Sequence, residues 1–403
     1  MTPTEFPISA PAAPAALAAL PTPTLLLDLP RMDRNIARMR ARLDRLGVPL
    51  RPHVKTCKSD RVARRILGGA PGPITVSTLK EAAEFAAHGY TDILYAVGIV
   101  PSKLPQVIAL RRSGVALAVV LDDVGVARAV AQAAEAAGVT LRVLLEIDCD
   151  GHRSGLGPDS AALLEVAEAL RSPHVVVDGV MTHAGESYAC RSEAALRAMA
   201  EQERSAAVLA ATRLRAAGHP AGTVSVGSTP TALFAEDLAG VTEVRAGVFV
   251  FFDLVMAGIG VCRTDELALS VLTTVIGHQR DKGWAIVDAG WMAMSRDRGT
   301  ASQPIDQGYG LVCDADGTVL PDLLLRSANQ EHGIVGRRDG AVGPLPELPV
   351  GTLLRILPNH ACATAAQFDG YHVVGEGDDG GKAGDGALES GETDGWWPRF
   401  RGW

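Results

Sequence analysis

Eight short β-rich runs alternate with amphipathic helical runs between Leu50 and Phe252, and this alternation restricts the fold more than any other feature of the chain. Consecutive βα units place their strands in parallel, and eight of them are the number that closes a barrel. We therefore predict an α/β fold with a (β/α)8 TIM-type barrel. The predicted strands lie at residues 50–55, 73–78, 92–97, 116–121, 141–148, 176–183, 223–227 and 243–250.

An open, doubly wound sheet is the alternative architecture for such a series of βα units. A sheet of that kind needs a glycine-rich turn directly after its first strand to receive a nucleotide. Here the first predicted strand ends in Lys55, and no glycine-rich turn follows it. The barrel is therefore the favoured prediction.

The predicted secondary structure changes near residue 263, after which strand-like segments follow one another without helices between them. A chain of 403 residues is also too long for one ordinary core. Residues 376–395 are rich in Gly, Asp and Glu and are predicted to be a flexible excursion. We expect an N-terminal lead and strand that joins the β domain at 1–30, a barrel at 31–262 and a mainly-β domain at 263–403.

The composition describes a soluble globular protein, with 47% hydrophobic and 21% charged residues. A net charge of -8 argues against a nucleic-acid surface. No apolar stretch reaches membrane-spanning length, and the N-terminal lead lacks the basic region of a secretory signal. Six scattered cysteines favour reduced thiols. We expect a cytoplasmic protein with neither nucleic acid nor membrane as a partner.

Lys55 is the first candidate for catalysis. The reacting groups of a TIM-type barrel lie at the C-terminal ends of its strands, and Lys55 ends the first predicted strand. A lysine in this position can form a Schiff base with a carbonyl cofactor. The simpler alternative is a solvated surface charge.

Gly227, Ser228 and Thr229 lie at the end of the seventh predicted strand and precede a helical segment. Phosphate groups commonly bind after the seventh and eighth strands of such barrels, where backbone N–H groups are donors. The alternative for this segment is an ordinary turn with a helix N-cap. A phosphate cradle and the strand-end Lys55 fall where pyridoxal 5′-phosphate would need them, so we predict that cofactor.

His360 and Cys362 form a second candidate site, far along the chain from the lysine. The apolar run before them predicts a strand, on which side chains two positions apart share a face and can bind one metal ion. Imidazole with thiolate suits zinc best, and manganese, cobalt or nickel are alternatives. A catalytic divalent metal needs open positions, so two protein ligands suffice, although an isolated His-x-Cys pair is a poor predictor of a metal.

Across these residues the chain resembles the fold-type III pyridoxal-phosphate enzymes, whose barrel is like that of alanine racemase. Within them it resembles the D-serine dehydratase and D-threonine aldolase group. The likeness runs from about residue 22 to residue 370. It is carried by the segments RPHVKT at 51–56, ITVSTLKEA at 74–82, DGHRSG at 150–155, VSVGSTPT at 224–231, VDAGWMAMSRD at 287–297 and NHACAT at 359–364.

The resemblance implies a role for each candidate residue. Lys55 would hold the cofactor as a Schiff base, and His360 with Cys362 would bind the divalent metal. Arg153 and Tyr188 would lie close to the cofactor ring. His183 is a further cofactor-binding candidate, with a structural role as its alternative. The complete cofactor-binding set comprises Lys55, Arg153, His183, Tyr188, Gly227, Ser228 and Thr229.

Three positions depart from the pattern of this group. Cys57 stands where its members often carry His, which weakens the transfer of their substrate preference. Phe249 stands where Tyr is usual on the eighth strand, so that hydroxyl is missing. Cys362 stands where the D-threonine aldolases tend to use Asp, and this difference favours a dehydratase.

The activity that the resemblance implies is dehydration of D-β-hydroxy amino acids to ammonia and a keto acid. D-threo-3-hydroxyaspartate, giving oxaloacetate, is the first expected substrate, and D-serine is another. An aldolase acting on D-threonine or 3-hydroxyaspartate is the alternative that would use the same lysine and metal. A racemase needs a second base and no metal. A non-catalytic pyridoxal-phosphate-binding protein is usually the barrel alone.

We also expect a homodimer. The enzymes that the chain resembles are built so that the β domain of one subunit helps to complete the barrel mouth of the other. The distance in sequence between Lys55 and the metal pair agrees with that arrangement.

Overall fold

The structure is a computed structural model and describes residues 15–375 and 395–403. The flexible excursion expected at 376–395 lies, apart from its last residue, outside the described residues. The domain bounds inferred from the sequence stay a prediction. The chain divides into a β unit, Met1–Asn35 with Val250–Arg399, and a barrel unit, Ile36–Phe249 with Phe400–Trp403.

Three elements come before the first barrel strand. One of them is a strand of the β unit, and the last is a long helix that ends just before the first barrel strand. They are helix α1 (Ala15–Ala18), strand β1 (Thr24–Asp28) and helix α2 (Leu29–Leu46).

Eight parallel strands form the sheet of the barrel unit, in the order β2-β9-β8-β7-β6-β5-β4-β3. A parallel bridge between His53 and Thr75 joins the two ends of this order, so the sheet closes. The predicted (β/α)8 architecture is confirmed. The strands are β2 (Leu50–Pro52), β3 (Ile74–Val76), β4 (Asp92–Gly98), β5 (Ala116–Leu121), β6 (Leu141–Ile147), β7 (Val175–Thr182), β8 (Thr223–Val226) and β9 (Glu243–Ala246).

Helices alternate with these strands, and their ends follow from local sequence. The side chains of Thr78, Asp123 and Ser192 each accept a hydrogen bond from a backbone N–H of the first helical turn. Gly138 ends α6 in the left-handed region at φ +63°. The helices are α3 (Asp60–Leu67), α4 (Leu79–Ala87), α5 (Leu104–Arg112), α6 (Val124–Ala137), α7 (Ala161–Ala169), α8 (Glu193–Ala216) and α9 (Thr229–Phe234).

The β unit contains a nine-stranded sheet in the order β11-β14-β13-β12-β15-β10-β1-β16-β17. β11 also pairs with β10, so six of these strands form a closed circuit of antiparallel pairings. β1 pairs antiparallel with β10 and parallel with β16. The remaining strands are β10 (Leu269–Gln279), β11 (Trp284–Val287), β12 (Gly310–Cys313), β13 (Val319–Ala328), β14 (Gly333–Arg337), β15 (Leu353–Pro358), β16 (Gly370–Val374) and β17 (Trp396–Pro398).

Three short helices complete the β unit. None of the helices in the described part of the chain is long and apolar enough to span a membrane. The three are α10 (Leu254–Gly258), α11 (Trp291–Met294) and α12 (Ala361–Ala365).

Several barrel strands are shorter than predicted, and in β2 and β9 the difference moves a residue of interest. β2 ends at Pro52, so Lys55 lies in a turn and not on the strand. The turn forms because the Lys58 N–H donates to the Val54 carbonyl at 2.7 Å. β9 ends at Ala246, so Phe249 lies in a 3-10 turn instead of on the eighth strand.

Candidate active site

Lys55 is exposed, while the backbone on both sides of it is held firmly. Val54 is fully buried, and its N–H donates to the Thr75 carbonyl at 2.9 Å. Cys57 is also buried, with its sulfur 3.5 Å from the Val54 carbonyl oxygen. The turn therefore presents one accessible primary amine on an ordered backbone at the carboxyl end of β2.

Residues 400–403 pack against the chain just beyond this turn. The Phe400 N–H donates to the Lys58 carbonyl at 2.6 Å, and the Phe400 ring meets Phe85 edge-on at 4.9 Å. The Lys58 ammonium forms a 3.1 Å ion pair with Glu81 and lies 5.3 Å from the ring of Trp403. These contacts fix the backbone three residues after Lys55.

Gly227 makes the turn after β8 possible. Its φ is +137°, and a Cβ at this position would lie 2.1 Å from the Arg245 carbonyl oxygen. Only glycine tolerates both the backbone conformation and this close approach. The Gly227 N–H donates to Glu203 Oε1 at 3.1 Å, so it has a partner within the protein.

The hydroxyl groups of the same turn form a buried cluster. The Ser228 N–H donates to Thr231 Oγ1 at 3.0 Å, and the Thr231 N–H donates to Ser228 Oγ at 3.2 Å, which is a capping box at the start of α9. Ser228 Oγ also lies 3.0 Å from Ser187 Oγ. Thr229 Oγ1 accepts a hydrogen bond from the Phe249 N–H at 3.1 Å. The segment is thus a pre-ordered, hydroxyl-rich turn.

His183, directly after β7, connects two of these turns. Its Nδ1 donates to the Gly227 carbonyl at 3.0 Å, which leaves Nε2 as the acceptor of the neutral ring. Burial, together with the positive charges of Lys55, Arg153 and Arg245, lowers the pKa of His183 to about 3. His183 is therefore neutral at physiological pH.

Arg153 and Tyr188 lie in the same region. Arg153 is exposed in the loop after β6, and its positive charge acts on both His183 and the buried Glu146. The Tyr188 ring centroid lies 6.2 Å from that of His183. The structure therefore brings the candidates from the ends of the first, fifth, sixth and seventh predicted strands into one region of the barrel unit.

A chain of buried charges below these turns was missed by the sequence analysis. Arg245 is buried, and it donates to Ser225 Oγ at 2.7 Å and to the Thr182 carbonyl at 2.5 Å. Ser225 Oγ donates to Glu243 at 2.6 Å, and Glu243 accepts from Arg51 at 2.7 Å. Burial lowers the pKa of Arg245 to about 10. The sequence signal for these buried ion pairs is the presence of charged residues, Arg51, Glu243 and Arg245, within strands β2 and β9.

His53 provides a test of whether pyridoxal phosphate fits. Its Nδ1 is buried and has no hydrogen-bond partner among the described residues, and burial lowers the pKa of the imidazole well below its usual value. A Cβ on Gly247 would meet the His53 carbonyl at 2.8 Å and Thr56 Oγ1 at 2.7 Å. An accessible amine, an unpaired His53 Nδ1, a hydroxyl cluster and the guanidinium groups of Arg153 and Arg245 suit a carbonyl compound that carries a phosphate.

The metal pair is placed differently from the sequence prediction. β15 ends at Pro358, His360 is the N-cap of α12, and Cys362 lies within that helix. The prediction that both residues share one face of a strand is wrong. The buried carboxylate of Asp253 is the physical reason, because it accepts the Ala361 N–H at 2.9 Å and thereby starts the helix.

His360 and Cys362 nevertheless interact through their side chains. His360 Nδ1 lies 2.6 Å from Asp297 Oδ2, which leaves Nε2 as its other ring nitrogen. Burial alone would lower the pKa of His360, but hydrogen bonds to Asp297 and Cys362 raise it to about 11. The imidazole is therefore held between a carboxylate and a thiol.

The donor set of this pair suits a divalent metal with open positions. In the part of the chain that the structure describes, no group of three or more His, Cys, Asp or Glu side chains is arranged to hold a metal ion. An Asp297 carboxylate on one nitrogen of His360 orients the imidazole in the way that carboxylates do at metal sites. Asp297 and Asp253 were not singled out from the sequence.

Two family models match the chain, the alanine racemase N-terminal domain at residues 27–255 and a serine dehydratase domain at residues 268–374. The first of them covers more than half of the chain. The chain belongs to the alanine racemase N-terminal domain family. It therefore has the fold of the fold-type III enzymes, as the resemblance in its sequence implied.

Several curated relatives cover nearly the whole chain. D-threo-3-hydroxyaspartate dehydratase from Delftia sp. (strain HT23) is 55% identical over 96% of this chain and 99% of its own length. D-serine dehydratase from Dictyostelium discoideum is 28% identical over 88% and 93%. 3-Hydroxy-D-aspartate aldolase from Paracoccus denitrificans (strain Pd 1222) is 29% identical over 88% and 89%.

Solved structures agree with these relatives. The Delftia dehydratase superimposes with a TM-score of 0.89 over 96% of this chain and 99% of that chain. A cysteine-to-alanine variant of that dehydratase, solved in a metal-free form, has the same TM-score and 55% identity over 96% of this chain and 99% of its own. Alanine racemase of Clostridium difficile 630, at 17% identity, TM-score 0.59, and coverage of 84% and 86%, shows the fold alone.

We predict that Gly227→Ala destabilises the protein strongly. A Cβ at φ +137° and 2.1 Å from a carbonyl oxygen adds backbone strain to overpacking, so the free energy of unfolding should fall by about 2–5 kcal/mol. Gly222→Ala is the control, because a Cβ there has nothing within 4 Å, and it should change stability by no more than about 0.5 kcal/mol. Denaturant unfolding measures both, and equal stabilities would contradict this account of the turn.

Proposed function

We propose that this chain is a pyridoxal-phosphate-dependent dehydratase that converts D-threo-3-hydroxyaspartate to oxaloacetate and ammonia. The observation that carries the proposal is the 55% identity over 96% of the chain with a dehydratase of that substrate. The meeting of Lys55, His183 and the turn at 227–229 in one region of the barrel unit supports it. D-Serine is a second expected substrate, since D-serine dehydratases are among the relatives.

Different residues of the barrel unit would bind different parts of the cofactor. Lys55 would bind it through the side-chain amine, and the hydroxyls of Ser228 and Thr229 would bind its phosphate. The Gly227 N–H already donates to Glu203, so Gly227 would contribute the chain reversal and not a hydrogen bond to the phosphate. The site candidates that would flank the ring are Arg153, His183 and Tyr188. When bound, pyridoxal phosphate supplies the electron sink for a carbanion at Cα.

Lys55 would also move the proton. Its amine, when not bound to the cofactor, would be the base that removes the Cα proton of the substrate. His183 stays neutral during this step, since burial and the positive charges of Arg153 and Arg245 keep its pKa below physiological pH. The neutral ring adds no charge to the site and keeps the Gly227 turn in place through Nδ1.

Departure of the β-hydroxyl is the second requirement, because hydroxide is a poor leaving group. His360 and Cys362 would hold a divalent metal, zinc being the best match and manganese, cobalt or nickel the alternatives. Such a metal supplies Lewis acidity toward the hydroxyl oxygen. Loss of water gives an enamine, which tautomerises and is hydrolysed to ammonia and the keto acid.

A product assay tests the proposal against its rivals. Incubation with D-threo-3-hydroxyaspartate should release ammonia and oxaloacetate in equal amounts. Glycine with glyoxylate would instead show an aldolase, and bound cofactor without any product would show a non-catalytic binder. Cys362 at the position where D-threonine aldolases tend to use Asp favours the first outcome. D-Threonine and D-serine complete the substrate panel.

Lys55→Ala should abolish the visible absorption of bound cofactor and lower the dehydration rate by roughly 10²- to 10⁴-fold or more, because the variant loses both the covalent attachment and the base. Lys80→Ala is the control, since Lys80 is exposed and pairs only loosely with Glu84, at 3.8 Å. Borohydride reduction followed by peptide mapping identifies the attachment site. A label on Lys58 or Lys80 would refute the assignment.

Removal of the metal should separate elimination from cofactor binding. A chelator, or Cys362→Ala, should lower the dehydration rate by roughly 10²-fold or more while the cofactor absorption persists, since Lewis acidity contributes several kcal/mol. Cys262→Ala is the control in the same unit and should keep both properties. Dehydration at the native rate in the chelated enzyme would show that the metal is structural or absent.

We further propose a cytoplasmic homodimer, as expected from the cysteine content and from the family resemblance. Light scattering of the active protein tests the assembly, and full activity in a monomer would refute it. Cell fractionation tests the location.

A further inference from the structure

Glu203 is a buried carboxylate on helix α8 for which the proposed reaction has no use. Only 2% of the residue is exposed, although α8 carries several exposed Glu–Arg pairs elsewhere along its length. Its Oε1 accepts hydrogen bonds from the Ala184 N–H at 2.9 Å and from the Gly227 N–H at 3.1 Å. A further hydrogen bond joins the carboxylate to the Thr231 side chain.

The two backbone donors belong to different turns of the barrel. Ala184 follows His183 at the end of β7, and Gly227 follows β8. One carboxylate oxygen therefore holds two adjacent strand ends together. The neighbouring residue of α8, Gln202, extends the pattern by donating to the Cys149 carbonyl after β6 at 2.6 Å.

Both backbone polar groups of Gly227 have a hydrogen-bond partner. Its N–H donates to Glu203, and its carbonyl accepts from His183 Nδ1 at 3.0 Å. Because glycine lacks a Cβ, its backbone has more accessible conformations than that of any other residue. Removal of either partner would let this turn leave φ +137° and move the hydroxyls that follow it.

Thr231 connects Glu203 to the hydroxyl cluster. Thr231 Oγ1 accepts the Ser228 N–H at 3.0 Å and lies 3.0 Å from Ser228 Oγ, while Thr231 also contacts Glu203. A series of hydrogen bonds therefore runs from the buried carboxylate through Thr231 to Ser228. A buried polar group is stable only when its partners are in place, so this series has one favoured geometry.

We propose that Glu203 is a positioning residue, which holds the turn at 227–229 and His183 in the geometry that binds the cofactor's phosphate. The assignment rests on the proposed binding of pyridoxal phosphate. The carboxylate also occupies the Gly227 N–H, so the phosphate must be bound by the Ser228 and Thr229 groups rather than by that donor.

The test separates the phosphate from the rest of the cofactor. The full chain, freed of cofactor, is titrated with pyridoxal 5′-phosphate and with pyridoxal, and the ratio of the two dissociation constants measures the contribution of the phosphate. Glu203→Met removes the acceptors at similar volume. Glu203→Gln keeps an oxygen acceptor for both N–H groups. Glu201→Gln, on the exposed side of the same helix, is the control.

Glu203→Met should reduce the ratio by about tenfold or more, which corresponds to about 1.4 kcal/mol. Its pyridoxal affinity should stay near that of the parent. Glu203→Gln and Glu201→Gln should both keep the parental ratio within about a factor of two, since the first preserves the hydrogen bonds and the second touches none of them. Should Glu203→Met not fold, Glu203→Asp withdraws the carboxylate by one methylene and should show the same loss.

Two outcomes would refute the positioning role of Glu203, and a third would refute the phosphate site itself. An unchanged ratio in folded Glu203→Met or Glu203→Asp refutes the positioning role. An equal loss of affinity for both ligands shows a general structural role, which also refutes it. If the parental protein binds pyridoxal as tightly as pyridoxal phosphate, the phosphate site of the proposed function itself is wrong, whatever the variants do.

Discussion

The parallel pairing of β2 with β9 closes the barrel, and the candidate site depends on that closure. β2 has only three residues, which pair with residues 244–246, and its continuation at His53 bridges to Thr75. This short connection places the turn that carries Lys55 beside the end of the last strand, where Gly247 approaches the His53 carbonyl. Lys55 and the turn at 227–229, about 170 residues apart in sequence, thereby reach one end of one barrel.

Buried charge inside the barrel unit supports this arrangement. Arg245 is held by Ser225 and by the Thr182 carbonyl, and Ser225 is held in turn by Glu243. Removing one member would leave a buried charge without its partner, which is much more destabilising than the pair itself is stabilising. Burial is the main cause of the lowered pKa of His183, and the charge of Arg245 adds to it, so a charge that orders the interior also acts on a candidate site residue.

In the β unit, two carboxylates from distant parts of the chain decide the geometry of the candidate metal pair, His360 and Cys362. The alternation of β15 would have continued through His360 and Cys362, but the Asp253 carboxylate accepts the Ala361 N–H and converts the chain to a helix. Asp297 then orients the imidazole from another part of the chain. Both carboxylates lie more than 60 residues from the pair in sequence, and local pattern carries no information about them.

The sequence by itself determined the barrel and its eight strands, because alternating βα periodicity and turn glycines are local signals that survive without tertiary context. The family followed from the resemblance of short segments such as RPHVKT at 51–56 and NHACAT at 359–364. It also identified Lys55, His183 and the Gly227 turn as residues at strand ends. Only the tertiary structure decided that β2 ends before Lys55 and that the Gly227 N–H belongs to Glu203. Those features depend on hydrogen bonds between distant segments and on which polar groups are buried together. The spacing of residues along the chain predicts neither of them.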